Sequence, residues 1–220
     1  MTRRGVLDPP AVPSARSTPG LQPPSSRFGV FFDRDGTLVV NDGYLADPAA
    51  LRLLPLAREA LDLLRAAGAR LLLVTNQSGV ARGLFSEAQV GLFHDALQAH
   101  LAHPFDAIYF CPHHPDEGAP PYRRSCRCRK PGTGMLERGL SDWGLDPRMC
   151  YIVGDSDIDV SCGRAMQMRT VQVLNPAREV SACAPPDHLA GDLLEAARWI
   201  LEDRRRHGLP ELSPDGGLPR

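Results

Sequence analysis

The chain has 220 residues, 43% of them hydrophobic, enough for one domain with a substantial core. A formal net charge of −1 supplies no overall field for nucleic acid or a membrane surface, and no apolar run approaches the length of a transmembrane helix. Neither is expected as a partner.

Residues 1–26 carry six prolines, four serines and three arginines, without the apolar core of a signal peptide. They read as a disordered N-terminal extension. Their Arg/Ser-rich, acid-poor character would suit a transit peptide, but the prolines argue against the amphipathic helix such peptides form. Six cysteines without a secretory signal point to reduced thiols or metal ligands, and so to the cytoplasm.

The first element is an apolar strand over 28–32 that runs into Asp33-Arg34-Asp35-Gly36-Thr37. An irregular stretch follows over 39–54, containing Asn41-Asp42-Gly43-Tyr44. A helix is predicted over 55–67, with Leu56, Ala60, Leu63 and Leu64 on one face and Gly68 as its stop. Residues 70–74 form a continuous apolar strand that ends at Thr75-Asn76-Gln77-Ser78-Gly79. Ser86 and Gln89 make a capping box opening a helix to about residue 101. A strand over 105–110, a helix over 135–143 and a strand over 149–153 follow, the last ending at Gly154-Asp155. A helix over 157–166, a strand over 170–174 and a helix over 191–203 complete the domain, placed at 27–203. Residues 204–220 read as a flexible tail.

Strands alternating with helices imply βαβ units, hence an α/β fold with a parallel sheet flanked by helices. Ligands of such sheets bind outside the carboxyl ends of the strands. Asp33/Asp35, Thr75/Asn76 and Asp155/Asp159 each stand just after an otherwise apolar strand, which points to one shared site. Two close, desolvated carboxylates repel, and a cation removes that cost; Mg²⁺ prefers such oxygen ligands. Taken singly, each cluster also reads as an ordinary strand-end turn or helix cap.

A second signal is Cys111-Pro112-His113, then twelve residues, then Cys126-Arg127-Cys128. Three thiols and an imidazole suit a tetrahedral structural zinc site, drawn as a clasp over the loop 111–128. His114 is adjacent and could substitute for His113. Cys150, Cys162 and Cys183 sit in apolar or helical contexts and read as inert. The clasp ends one residue before Arg129-Lys130, so fixing the loop would fix Lys130.

The sets Asp33-Arg34-Asp35-Gly36-Thr37, Thr75-Asn76-Gln77-Ser78-Gly79, Arg129-Lys130-Pro131 and Gly154-Asp155 with Asp159 resemble, in order, the four motifs of the haloacid-dehalogenase (HAD) superfamily. The resemblance implies a Rossmann-like phosphatase fold. It implies Asp33 as nucleophile through an aspartyl-phosphate, and Asp35 as general acid and base. Mg²⁺ would be held by the Asp33 carboxylate, the Asp35 backbone carbonyl and Asp155. Thr75, the Asn76 N–H and Lys130 would hold phosphoryl oxygens, with Asp159 supporting.

A zinc loop without an inserted cap resembles two groups within the superfamily, the heptose-1,7-bisphosphate 7-phosphatases and the histidinol-phosphate phosphatases. Phe32 to Thr37, Asp42-Gly43-Tyr44, Thr75 to Gly83 and Cys111 to Pro115 look like the former. That resemblance places Asn41, Asp42, Gly43, Tyr44, Thr75, Asn76, Gln77, Ser78, Arg129 and Lys130 against a small sugar bisphosphate, with the Arg129 fork on the second phosphate. Ser156 stands where the heptose enzymes commonly carry lysine. A histidinol-phosphate or other small phosphate-ester phosphatase is the alternative, and a non-catalytic zinc-stabilised binding module is the different class. A monomer is expected.

Overall fold

The computed structural model describes residues 28–41, 43–175 and 185–207. The expected extension over 1–26, Asp42, Cys183 and tail residues 208–220 lie outside them.

Six strands form one parallel sheet: β1 (Gly29–Phe32), β2 (Arg70–Asn76), β3 (Ala107–Cys111), β4 (Tyr151–Gly154), β5 (Arg169–Val173) and β6 (His188–Ala190), in the order β3-β2-β1-β4-β5-β6. Among the described residues, four helices connect successive strands from β1 to β5, α1 (Ala57–Ala66), α2 (Glu87–Ala99), α3 (Gly134–Trp143) and α4 (Asp157–Ala165), and a fifth, α5 (Leu193–Arg206), follows β6. This is the doubly wound Rossmann-like order, and the chain reverses direction across the sheet at β1. Among the described residues no additional domain interrupts the strands. None of their helices is long and apolar enough to cross a membrane.

Side chains alternate across the sheet with period two. Val30, Phe32, Leu71, Leu73 and Val153 pack on one face with Leu61 and Leu64 of α1 and Ile200 of α5. Phe31, Leu72, Val74 and Ile152 pack on the other with Leu136 and Leu140 of α3 and Cys162 of α4. Both faces are therefore dry, and the polar residues are pushed to the strand ends.

The capping box opens α2 as expected: the Gln89 N–H donates to Ser86 Oγ, and the Ser86 N–H donates to Gln89 Oε1. Other boundaries differ. Leu56 takes a left-handed backbone (φ 61°) just ahead of α1 and is exposed. The buried face of α1 is consequently Ala57, Ala60, Leu61 and Leu64, rather than one including Leu56 and Leu63. Thr75 and Asn76 are the last residues of β2, paired with Phe110 and Cys111, instead of following it. α5 continues past residue 203 through Arg206, because Asp203 and Arg204 turn inward. Asp203 accepts from the Tyr151 hydroxyl at 2.8 Å, and the Arg204 guanidinium lies 3.7 Å over the Phe28 ring. The tail expected from 204 thus begins inside a packed helix. β6 is three residues long and was not anticipated; so short a strand has no readable periodicity.

Candidate active site

Parallel register brings the strand ends level. Phe32 pairs with both Leu73 and Val153, and the Asp33 N–H then donates to the Val153 carbonyl at 2.9 Å. Asp33 therefore leaves β1 between the carboxyl ends of β2 and β4, in the crevice favoured for ligands in this fold. A cleft opens there, lined among others by Asp33, Asp35, Thr75, Lys130 and Asp155.

Lys130 organises its floor. The Nζ donates to Asp33 Oδ1 at 2.7 Å, to Asp159 Oδ1 at 2.6 Å and to the Val74 carbonyl at 2.8 Å, and the side chain is buried. Three good acceptors for three N–H groups leave one orientation. Burial opposes the Lys130 charge, but Asp159 and Asp33 outweigh it and hold the ammonium above its usual range. Burial pushes the Asp33 carboxyl up to about 7 against the pull of Lys130.

The lysine backbone is fixed too. The Asn76 side-chain amide donates to the Lys130 carbonyl and its oxygen accepts the Lys130 N–H, each at 3.0 Å. The sequence suggested only a backbone role for Asn76; its side chain is a clasp. Asp159, in the first turn of α4, lies beneath the lysine and accepts from Ser156 Oγ at 2.6 Å. Ser156 begins that helix without capping it, its hydroxyl being turned to Asp159.

Asp33, Asp155 and Asp159 place carboxylate oxygens within 4.8 Å of one another, all buried. Three carboxylates against one ammonium leave two negative charges in a dry site. That balance and the hard oxygen donors fit a divalent cation such as Mg²⁺. Asn175 Nδ2 donates to Asp155 Oδ2 at 2.7 Å and orients it. Gly36 (φ 82°) is required here, because a Cβ would collide with that same oxygen.

Asp35 lines the cleft with Asn41, Gly43, Tyr44, Thr75, Gln77 and Ser78. Its carboxylate is gripped by Arg34 through Nε and Nη2, both at 2.9 Å. Gln77 Nε2 donates to Asp35 Oδ2 at 2.8 Å and to Thr75 Oγ1 at 2.9 Å. Arg34 is wholly buried, and nothing in the sequence marked it out. Asn41 Oδ1 accepts the Gly43 N–H at 3.0 Å, a local turn that shapes the cleft rim. Arg129 does not line the cleft; its Nη1 donates to the His113 carbonyl at 3.3 Å. The Thr37 side chain is buried away from the cleft.

The predicted zinc ligands converge. Cys111, Cys126 and Cys128 sulfurs lie 3.1–3.5 Å apart, and His113 Nδ1 is 3.3 Å from Cys128 Sγ and 3.7 Å from Cys111 Sγ. Sulfurs of a tetrahedral zinc site stand ~3.8 Å apart, so a small outward shift admits the ion. Hydrogen bonding from Cys111 draws the Cys128 thiol down to about 5, while hydrogen bonding to Cys128 holds the Cys111 thiol up. Such mutual sharing of protons among clustered thiols suits replacement by a cation. His114 turns elsewhere: its Nδ1 accepts the N–H groups of Asp116 and Glu117. Cys150 and Cys162 are buried, and burial pushes both thiols up to about 12.

The doubly wound sheet, with an acid pair after β1, an amide clasp at the end of β2 and a buried lysine facing an acidic β4 end, defines the class. A HAD-hydrolase-like family model matches residues 127–196, spanning Lys130 and Asp155. A heptose-1,7-bisphosphate 7-phosphatase of Pasteurella multocida is 37% identical over 155 residues, covering 69% of this chain and 84% of the relative. The corresponding protein of Chlorobaculum tepidum is 36% identical over 185 residues, covering 78% and 93%. A crystal structure of D,D-heptose 1,7-bisphosphate phosphatase from B. bronchiseptica, complexed with magnesium and phosphate, superposes with a TM-score of 0.70 at 30% identity, covering 80% and 98%. The chain belongs to the HAD-like hydrolases and, within them, to the family of the heptose-1,7-bisphosphate 7-phosphatases.

Proposed function

We propose that the chain hydrolyses a phosphate monoester of a small sugar bisphosphate, D-glycero-D-manno-heptose 1,7-bisphosphate at its 7-phosphate. The observation that carries the chemistry is the Lys130 ammonium held at 2.7 Å from Asp33 and 2.6 Å from Asp159. Lys130 offsets part of the desolvation of Asp33 and fixes the orientation of its carboxyl group. The substrate rests on the relatives above.

In the first half-reaction the Asp33 carboxylate attacks phosphorus, the sugar oxygen departs and an aspartyl-phosphate forms. Asp35 passes its proton to the departing alkoxide. In the second half-reaction Asp35 takes a proton from water, which attacks the same phosphorus and frees Asp33. Thr75 and the Asn76 N–H would steady the phosphoryl oxygens by hydrogen bonds and Lys130 by its charge, while Asp159 and the Asn76 side chain keep Lys130 in place. Asp33, Asp155 and the Asp35 carbonyl would hold Mg²⁺, which supplies charge neutralisation at the phosphoryl group. Cys111, His113, Cys126 and Cys128 would hold structural zinc. Asn41 to Tyr44 and Ser78 would contact the sugar from the rim. Arg129 would reach the second phosphate by releasing the His113 carbonyl.

The engagement of Arg129 away from the cleft favours a second reading, a substrate with one phosphate such as histidinol phosphate. The test compares kcat/KM for heptose 1,7-bisphosphate, histidinol phosphate and other sugar bisphosphates in Mg²⁺. A preference for histidinol phosphate overturns the first reading. Absence of Mg²⁺-dependent phosphate release from every ester overturns both and leaves a binding module. We further propose a cytoplasmic monomer with its catalytic domain beginning near residue 27.

A further inference from the structure

We infer that Arg34 and Gln77 form a buried clamp whose purpose is to fix the Asp35 carboxylate, leaving a single oxygen position from which its proton is exchanged. The inference rests on the phosphatase reading, in which Asp35 is the acid and base.

Arg34 is fully buried, and burying a guanidinium is costly unless its donors are paired. They are. Nε donates to Asp35 Oδ1 at 2.9 Å. The two N–H groups of Nη2 are shared among Asp35 Oδ2 at 2.9 Å, the Leu45 carbonyl at 2.8 Å and Gln77 Oε1 at 3.0 Å. Nη1 donates to His94 Nε2 at 3.3 Å, and the guanidinium lies 4.5 Å over the Phe93 ring. His94 is able to accept because burial and then Arg34 push its pKa down to about 3, so the ring is neutral.

Gln77 closes the clamp. Its oxygen faces Arg34, which commits its amide nitrogen to Asp35 Oδ2 and Thr75 Oγ1. Neither end can flip without leaving a buried donor facing a donor.

The lone pairs then decide where the proton goes. A carboxylate oxygen accepts about two hydrogen bonds. Asp35 Oδ2 receives one from Arg34 Nη2 and one from Gln77 Nε2. Oδ1 receives one, from Arg34 Nε. The remaining acceptor position on Oδ1 is the one from which the proton passes to the leaving oxygen. General acid catalysis depends on that placement, since misplacement by an ångström is expensive. Arg34 also holds Leu45, next to Tyr44 on the cleft rim, so the rim and the acid share one anchor. Arg34 and Gln77 are thus positioning residues that act through Asp35.

Arg34→Lys, Gln77→Leu and Asp35→Asn test this with two esters, an alkyl sugar phosphate and p-nitrophenyl phosphate. The nitrophenolate leaves without a proton, so kcat/KM for that ester does not sense the acid. Asp35→Asn is expected to lose about 10²–10⁴-fold in kcat/KM on the alkyl ester and only a few-fold on the aryl ester. Arg34→Lys and Gln77→Leu should show the same contrast, with at least about tenfold loss on the alkyl ester. Should thermal melting show that Arg34→Lys does not fold, Gln77→Leu decides. Equal losses on both esters, or none on either, overturn the clamp. If Asp35→Asn itself shows no contrast, the acid role fails; if it does and the clamp variants do not, only this inference fails.

Discussion

Replacing Asp33 by Asn should stabilise the fold while abolishing turnover, and the gain should depend on pH. Asp33 is desolvated, and its carboxyl is raised from 3.8 to about 7. The folded, magnesium-free protein therefore holds this proton more tightly than the unfolded chain. Stability from the group is fully present below about pH 4 and is lost as pH rises through 7. At 1.36 kcal/mol per pH unit, the gap between 3.8 and about 7 costs the ionised native state about 4 kcal/mol at pH 8. At pH 5 only the unfolded chain ionises appreciably, and the cost is smaller. Asn keeps the shape and cannot ionise, so Asp33→Asn should gain about 4 kcal/mol at pH 8 and less than half of that at pH 5. Urea denaturation at both pH values, with zinc retained and no magnesium added, reads the difference. Magnesium should then narrow it by stabilising the wild type. A gain that is the same at both pH values, or a loss at pH 8, would refute the claim that desolvation of Asp33 dominates this site.

Lys130→Met removes the ammonium between two buried acids. It should lower kcat by at least about 10²-fold and weaken inhibition by inorganic phosphate, measured by steady-state kinetics. Gly36→Ala should lower apparent Mg²⁺ affinity by at least about tenfold in an activation titration, because its Cβ would displace Asp155 Oδ2. Selective zinc removal from a still-folded protein should cut turnover while leaving Mg²⁺ binding by calorimetry unchanged; full turnover without zinc would break the proposed link between loop and lysine.

The acid pair, the strand-end Thr75 and the zinc ligands were legible because each depends on spacing over a few residues. Alternating strands and helices gave the parallel sheet, since dry faces leave long apolar runs. What stayed hidden was made by contacts between distant segments. Arg34 sits between two aspartates and reads as a solvated residue until Leu45, Gln77 and His94 close around it, the last 60 positions away. Asn76 and Lys130 are 54 apart, so the amide clasp has no local signature. The face of α1 was misread because Leu56 carries an apolar side chain on a left-handed turn, which periodicity cannot detect. Arg129 was assigned by likeness alone, and the backbone of the zinc loop claims its side chain here.

The paired amide bonds between Asn76 and Lys130 act as one extra rung of the sheet, made by a side chain beyond the last strand pairing. The Lys130 backbone is thereby tied to the end of β2, between β1 and β3. Arg34 ties the rim to the acid in the same way, donating to the Leu45 carbonyl while it grips Asp35. Chemistry and selectivity are therefore linked inheritances in this chain. A change of rim sequence that moves Leu45 would also move the group that exchanges the proton.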